Sequence, residues 1–366
     1  MINQAAGALP YQQLKQLMDD GRILQSDHKL LQPASLDLAI SGEIYRMRGT
    51  YLPKPGETVR ELVTHGAVER VSLDHPLERN AVYLCRLRES LALPNNIHGS
   101  ANNKSSSGRI NLWTRLVCDG TPSFDQVPAG YIGELWIEII PKSFPVRLSD
   151  GARLNQLRLS QGDGTLRGED LLQAHLREHF LCDHAGNIVL TPHAVSRHGI
   201  TMTIDLLSTD IVGYRCKPTS GLILDYSQNN HLTEDFFEAI PRPKSREIIL
   251  HPDEFYILVT QEGVRVPADY AVEMAPYDVG KGEFRSHYAG FFDPGFGSGL
   301  DNSGRGTPAV LEVITKDSDF ILRHGQPICT MTYERLLEKT DLLYGDEKLG
   351  SHYATQRGPR LSKHFS

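Results

Sequence analysis

The chain repeats itself once. Ser35-Leu36-Asp37-Leu38 is matched by Thr203-Ile204-Asp205-Leu206, an offset of 205 − 37 = 168. Tyr83 through Glu89 to Pro94 is matched by Tyr256 through Glu262 to Pro267, an offset of 267 − 94 = 173. Glu138 in ELWIEII falls on Glu312 in AVLEVIT, 312 − 138 = 174, and Gly151 falls on Gly325 with the same 174. Chance matches would not stay in register, and the period is far too long for a solenoid. Two copies of one domain are therefore expected, over residues 1–182 and 183–366, joined in the polar stretch around 183–200. At about 150 residues per domain, a chain of this length suits two cores.

The texture within each copy is that of strands. Runs such as AVYLCRLRES, YIGELWIEII, FPVRLSD, EFYILVTQEG, AVLEVITKD and DFILRHG alternate apolar and polar residues between Gly, Pro, Asn and Asp. That spacing predicts an antiparallel β sandwich or barrel. Helical patterns are few: 11–22, where Leu14 and Leu17 precede Gly21, then 169–180 and 333–340. A mainly β chain with a few short helices is expected.

Charge and cysteine usage narrow the function. Thirty-eight Lys and Arg against 45 Asp and Glu give a net charge of −7. Duplex nucleic acid is a poor partner for such a surface. No apolar run approaches the roughly 18 residues of a membrane span. The opening MINQAAGALPYQQL lacks the charged and apolar regions of a signal peptide, so a cytoplasmic location is expected. The five cysteines (Cys85, Cys118, Cys182, Cys216 and Cys329) are scattered, with no C-x-x-C and no H-x-E followed by P-C-x-x-C. A zinc finger, a thioredoxin-type site and a zinc deaminase site are thereby removed, and reduced, buried thiols are expected.

Five segments carry chemistry. Lys104-Ser105-Ser106-Ser107-Gly108-Arg109 packs hydroxyls, two cations and flexible backbone N–H groups into six residues. Such a loop can hold phosphate oxygens, although the same composition suits a solvated loop. It is not a Walker A loop, since GxxxxGK[ST] is absent. Glu138 and Glu312 each sit inside an apolar strand, where alternation places Glu138 on one face with Glu134 and Trp136, and Glu312 with Val310 and Ile314. A carboxylate there either faces solvent or is buried as a candidate general base. His287 to Gly297 (HYAGFFDPGFG) reads as a tight turn with backbone groups that can meet a flat ring edge, or as an ordinary hairpin. Tyr353 to Arg360 reads as a frayed end or as a lid.

Taken together, these residues resemble the dCTP deaminase branch of the dUTPase-like superfamily, in a tandem two-domain version. The short helix ending in Gly21-Arg22 and the following Leu31-Gln32-Pro33-Ala34-Ser35-Leu36-Asp37-Leu38 are similar to the family's opening. Lys104 to Arg109 resembles its Arg-Ser-Ser-Leu-Ala-Arg phosphate loop, and His287 to Gly297 its Thr-Ala-Gly-Phe-Ile-Asp-Pro-Gly-Phe turn. Glu312 and Glu138 fall where the family's catalytic glutamate lies, and Tyr353 to Pro359 resembles its nucleotide-covering tail. The resemblance implies tandem distorted jelly-roll β barrels and a homo-oligomer with trimer-type packing of domains. It implies a small deoxynucleotide substrate carrying Mg²⁺, no zinc, and sites where neighbouring domains meet. It also implies roles: Glu312 as base with Glu138 second, and Lys104, Ser105, Ser106, Ser107, Arg109, His287, Ala289, Asp293, Tyr353, Gln356 and Arg357 on phosphate or substrate.

Two departures from the family pattern stand out. The first copy's turn, Cys118 to Asp125, carries extra residues before Gly133; the second copy has Ala275-Pro276-Tyr277-Asp278-Val279-Gly280 where the serines should be. The first copy is therefore expected to hold phosphate and the second the base. The expected reaction is deamination of dCTP to dUTP and ammonia. A dUTP pyrophosphatase using Asp125 or Asp293, a bifunctional enzyme, and a non-catalytic nucleotide sensor are the alternatives.

Overall fold

The computed structural model describes residues 6–190, 195–275, 284–286, 290–298, 305–316, 318–349, 353 and 356–366. They form two compact units, both mainly β as expected. The first runs to Asp163 and takes in Pro218–Phe236 and Ser362–Ser366; the second is Gly164–Lys217 with Phe237–Leu361. The division falls earlier than 182/183 because Leu166, Leu171, Ala174, Phe180 and Leu181 are packed in the second core.

In the first unit the antiparallel strand order is Leu112–Cys118, Ile132–Pro141, Val82–Ala92, Leu36–Met47, Arg153–Gln161, Ile97–Asn103 and Gln126–Val127. The long strand Leu36–Met47 turns the corner of the barrel. Its first residues pair with Arg153–Gln161 and its last with Val82–Ala92, with a register shift between Ile40 and Ile44 where Gly42 lies. A bulge of this kind lets one strand serve two sheets. The helix Tyr11–Asp19 buries Leu14 and Leu17 and is followed by Gly21 at φ +65°, as its pattern predicts.

In the second unit one sheet runs Phe237–Pro241, Ile211–Cys216, Phe255–Val264, Thr307–Thr315 and Phe284–Ser286. The other runs Val195–Ser196, Gly199–Thr203, Pro327–Arg335, Tyr270–Ala275 and Phe291–Phe292. The duplication is written into the strand register. Glu138 lies opposite Leu84, and Glu312 lies opposite Ile257, which are separations of 312 − 138 = 174 and 257 − 84 = 173.

One helical expectation fails. Residues 333–335 end the strand Pro327–Arg335, and no helix follows over 336–340. Tyr333 decides this: it pairs across to Val272 and its ring stacks on Phe180 at 4.0 Å between centroids. Burying a ring of that size outweighs a helical pattern worth a few tenths of a kcal/mol per residue, roughly.

Candidate active site

The serine loop of the first unit is built from a strand end. Ile97–Asn103 delivers Lys104, whose backbone N–H donates to the Leu154 carbonyl at 3.0 Å. A single helical turn follows, with the Ser107 and Gly108 N–H groups both donating to the Lys104 carbonyl at 2.9 Å. Asn103 ties this turn to the next strand: its amide donates to the Leu112 carbonyl at 3.0 Å, and its oxygen accepts from the Thr114 N–H and hydroxyl. The Lys104 ammonium bonds the buried Asp37 carboxylate, and the Arg153 guanidinium lies 3.6 Å from the same group.

The loop's hydroxyls divide into two classes. Ser106 and Ser107 are buried, and both meet the phenol oxygen of Tyr226 at 3.0 Å. That phenol in turn donates to the Arg153 carbonyl at 3.0 Å, so its oxygen accepts from the two serines. Ser362 closes the far side by donating to the Ser106 carbonyl at 2.9 Å. Lys104 and Ser105 are only half-buried. Arg109 is buried at the end of the turn. Four of the five proposed loop residues are thus packed or paired within the unit, and Ser105 is half-buried.

Glu138 is buried in the strand Ile132–Pro141, at 3% exposure. Arg115, directly opposite on Leu112–Cys118, binds its carboxylate through Nε at 2.9 Å and through a second guanidinium nitrogen. The Arg115 guanidinium lies 3.8 Å from the centre of the Phe124 ring. Strand alternation holds along this face: Glu134 meets Arg60 at 2.8 Å and Arg86 at 3.0 Å.

In the second unit, Glu312 is buried at 8% exposure in Thr307–Thr315, with Val310 and Ile314 on its face. The turn at Phe291–Phe296 is tightly specified. Asp293 is buried and its carbonyl accepts from the Phe296 N–H at 3.1 Å, while Gly295 donates to the Val266 carbonyl at 2.8 Å. Gly297 has φ +64°, and a side chain there would meet the Val264 carbonyl oxygen at 1.9 Å. Only glycine fits. His287 and Ala289 lie outside the described residues, as do residues 276–280.

Gln356 and Arg357 are docked on the second unit's own backbone. Gln356 is buried and donates to the Pro308 carbonyl at 2.8 Å, and Arg357 donates to the Gly306 carbonyl at 3.1 Å. Both bonds hold the start of the strand that carries Glu312. The Arg360 guanidinium lies 6.0 Å from the centre of the buried Tyr353 ring.

Sequence reasoning missed Tyr226, Ser362 and His364. No motif or repeat marks them, because their part at the loop depends on a fold that brings positions 106, 226 and 362 together. All five cysteines are free and buried, as expected of core thiols. Burial pushes the Cys85 thiol up to about 12. Among the described residues, no three His, Cys, Asp or Glu side chains cluster as metal ligands.

Comparison with known proteins agrees with this fold. The N-terminal domain model of 2'-deoxycytidine 5'-triphosphate deaminase matches residues 5–163, and the C-terminal domain model matches residues 169–365. The chain belongs to the dCTP deaminase family. A crystal structure of 2'-deoxycytidine 5'-triphosphate deaminase from Agrobacterium tumefaciens is similar over 92% of this chain and 100% of that one, with a TM-score of 0.83 and 39% identity. A dUMP-forming dCTP deaminase of Methanosphaera stadtmanae is 28% identical over 185 residues, covering 49% of this chain and 86% of its own. A dUMP-forming dCTP deaminase of Streptomyces coelicolor is 35% identical over 119 residues, 32% of this chain and 58% of its own. With the second of these relatives, therefore, less than two thirds of the length is shared. Against the deaminase family, the two halves of this chain correspond to two recognised domains, which is the tandem arrangement expected from its repeat.

Proposed function

We propose that this chain hydrolyses the amino group of dCTP, giving dUTP and ammonia. Membership of the deaminase family over both units carries the reading. The serine loop and the two buried strand glutamates supply groups suited to it. Water adds its oxygen to C4 of cytosine while a glutamate carboxylate takes one of its protons and passes it to N3, and the proton of the resulting C4 hydroxyl is then carried to the departing amino group. The C4–N4 bond breaks, ammonia leaves, and a C4 carbonyl remains. General acid–base catalysis of this kind contributes roughly 10²–10⁴-fold.

Glu312 is the proposed base. What supports it over Glu138 is the neighbouring turn: Phe291-Phe292-Asp293-Pro294-Gly295-Phe296-Gly297 is intact in the second copy, whereas the first copy's turn carries extra residues before Gly133. Lys104, Ser105 and Arg109 are the proposed phosphate contacts, with Ser106 and Ser107 bracing them. Asp293, His287 and Ala289 are the proposed base-reading turn, and Tyr353, Gln356 and Arg357 the proposed cover. Mg²⁺ would arrive on the triphosphate, because Asp37 is claimed by Lys104 and Arg153 and the loop offers cations and hydroxyls. A homo-oligomer belongs to the same proposal and is read by light scattering.

Incubation with dCTP, followed by ammonia and pyrophosphate assays, tests the reading. Ammonia without pyrophosphate is expected. Both products together would show the dUMP-forming reaction for which the Methanosphaera and Streptomyces relatives are named. Neither product would leave a nucleotide-binding protein.

A further inference from the structure

We propose that Lys363 is a further phosphate-binding cation beside the serine loop, carried there by a strap made of Pro218–Phe236 and Ser362–Ser366. The proposal rests on the deaminase reading for the identity of the phosphate, and on the first unit alone for its geometry.

The strap fixes the backbone on both sides of Lys363. Before it, the Ser362 hydroxyl donates to the Ser106 carbonyl at 2.9 Å. After it, the His364 carbonyl accepts from the His231 N–H at 3.0 Å, and the His364 ring packs on Tyr226 with centroids 4.3 Å apart. The Ser366 N–H donates to the His231 carbonyl at 3.1 Å, and the rings of Phe365 and Phe236 meet edge-on at 5.6 Å. Tyr226, which the strap also contributes, holds Ser106 and Ser107. The half-buried Lys363 is thus anchored to the same turn that presents Lys104 and Ser105.

Its electrostatic surroundings are those of an anion site. Burial pushes the Lys363 ammonium below its ordinary pKa, and the nearby charges of Lys104 and Arg153 push it further, while Asp37 opposes them. Three cations therefore gather about the Asp37 carboxylate. Like charges brought together at reduced hydration repel, and a polyanion among them turns that repulsion into attraction. The ligand class this arrangement suits is a nucleoside triphosphate or an inorganic polyphosphate.

The test titrates the full chain with inorganic tripolyphosphate by calorimetry at two salt concentrations, beside steady-state kinetics on dCTP. Lys363→Gln should weaken tripolyphosphate binding about tenfold and flatten its salt dependence. It should raise KM for dCTP similarly, with kcat little changed, and Lys363→Arg should restore both. An unchanged Kd in Lys363→Gln, failure of Lys363→Arg to rescue, or no tripolyphosphate binding by the unaltered chain would each overturn the proposal. Equal weakening for dCTP and uncharged deoxycytidine would overturn it too, by showing general damage. Tripolyphosphate binding without ammonia release would sink the deaminase reading and leave Lys363 supported.

Discussion

Glu89 and Glu262 hold the same place in the two copies, yet their surroundings differ. Both oxygens of Glu262 are bonded, one by the Thr203 N–H at 2.8 Å and the other by the Thr203 hydroxyl at 2.6 Å. Glu89 accepts from the Ala39 N–H at 3.0 Å, and among the described residues its second oxygen is buried without a partner. Burial pushes its carboxyl up to about 7, against the Ala39 bond that pulls it down. A carboxyl raised in the folded state stabilises fully below its unfolded pKa, and that stability is lost as pH rises through the folded value. Stability should therefore fall between about pH 4.5 and pH 7, by on the order of 3 kcal/mol at most. Glu89→Gln should remove that slope and be the more stable protein at pH 8, as read by urea denaturation across pH. An unaltered slope in the variant would show that Glu89 is ionised in the fold without penalty.

The loop serines separate at the same scale. Ser106→Ala with Ser107→Ala removes two donors from Tyr226 and should cost about 2 kcal/mol of stability, at about 1 kcal/mol per bond. Ser105→Ala should leave stability nearly intact and raise KM for dCTP. Denaturation and kinetics on the two variants distinguish bracing from binding, and the reverse pattern would contradict the division.

At the scale of elements, the strands carrying the two glutamates were legible because period-2 alternation and the repeat offset point to the same register. The helix Tyr11–Asp19 was legible from Leu14, Leu17 and Gly21. The helix Val59–Gly66 is not legible in the same way, although Thr58 and Glu61 form a capping box there. Its apolar stripe, Val59 and Leu62, is short, and the cap alone is a weak signal against a strand-rich background. The strap residues could not be read at all, since Tyr226 acts through contacts more than one hundred positions away. Turn chemistry was the clearest local signal. Gly297→Ala would put a methyl group against the Val264 carbonyl at φ +64°, and the variant should lose several kcal/mol of stability, roughly, or fail to fold. A Gly297→Ala protein with an unchanged urea midpoint would show that the turn shifts freely.

For the whole molecule, the repeat, the register and the two family domains describe one duplicated β architecture whose copies have diverged in their loops. The first unit keeps the serine loop, with the Tyr226 and Ser362 contacts around it. The second keeps the tight turn and a glutamate strand held at its start by Gln356. Five scattered cysteines and the missing C-x-x-C spacing also predict that a selective zinc chelator leaves ammonia release intact at saturating Mg²⁺. Loss of activity under the chelator would contradict that.

Ammonia release from dCTP decides whether a strand glutamate drives the reaction. The unaltered chain should release one ammonia per dCTP consumed, and Glu312→Gln should abolish release while binding nucleotide nearly as before, because the amide keeps the side chain's shape but cannot accept the water's proton. Full activity in Glu312→Gln with loss in Glu138→Gln would move the base to the first unit, and no ammonia from the unaltered chain would contradict the account.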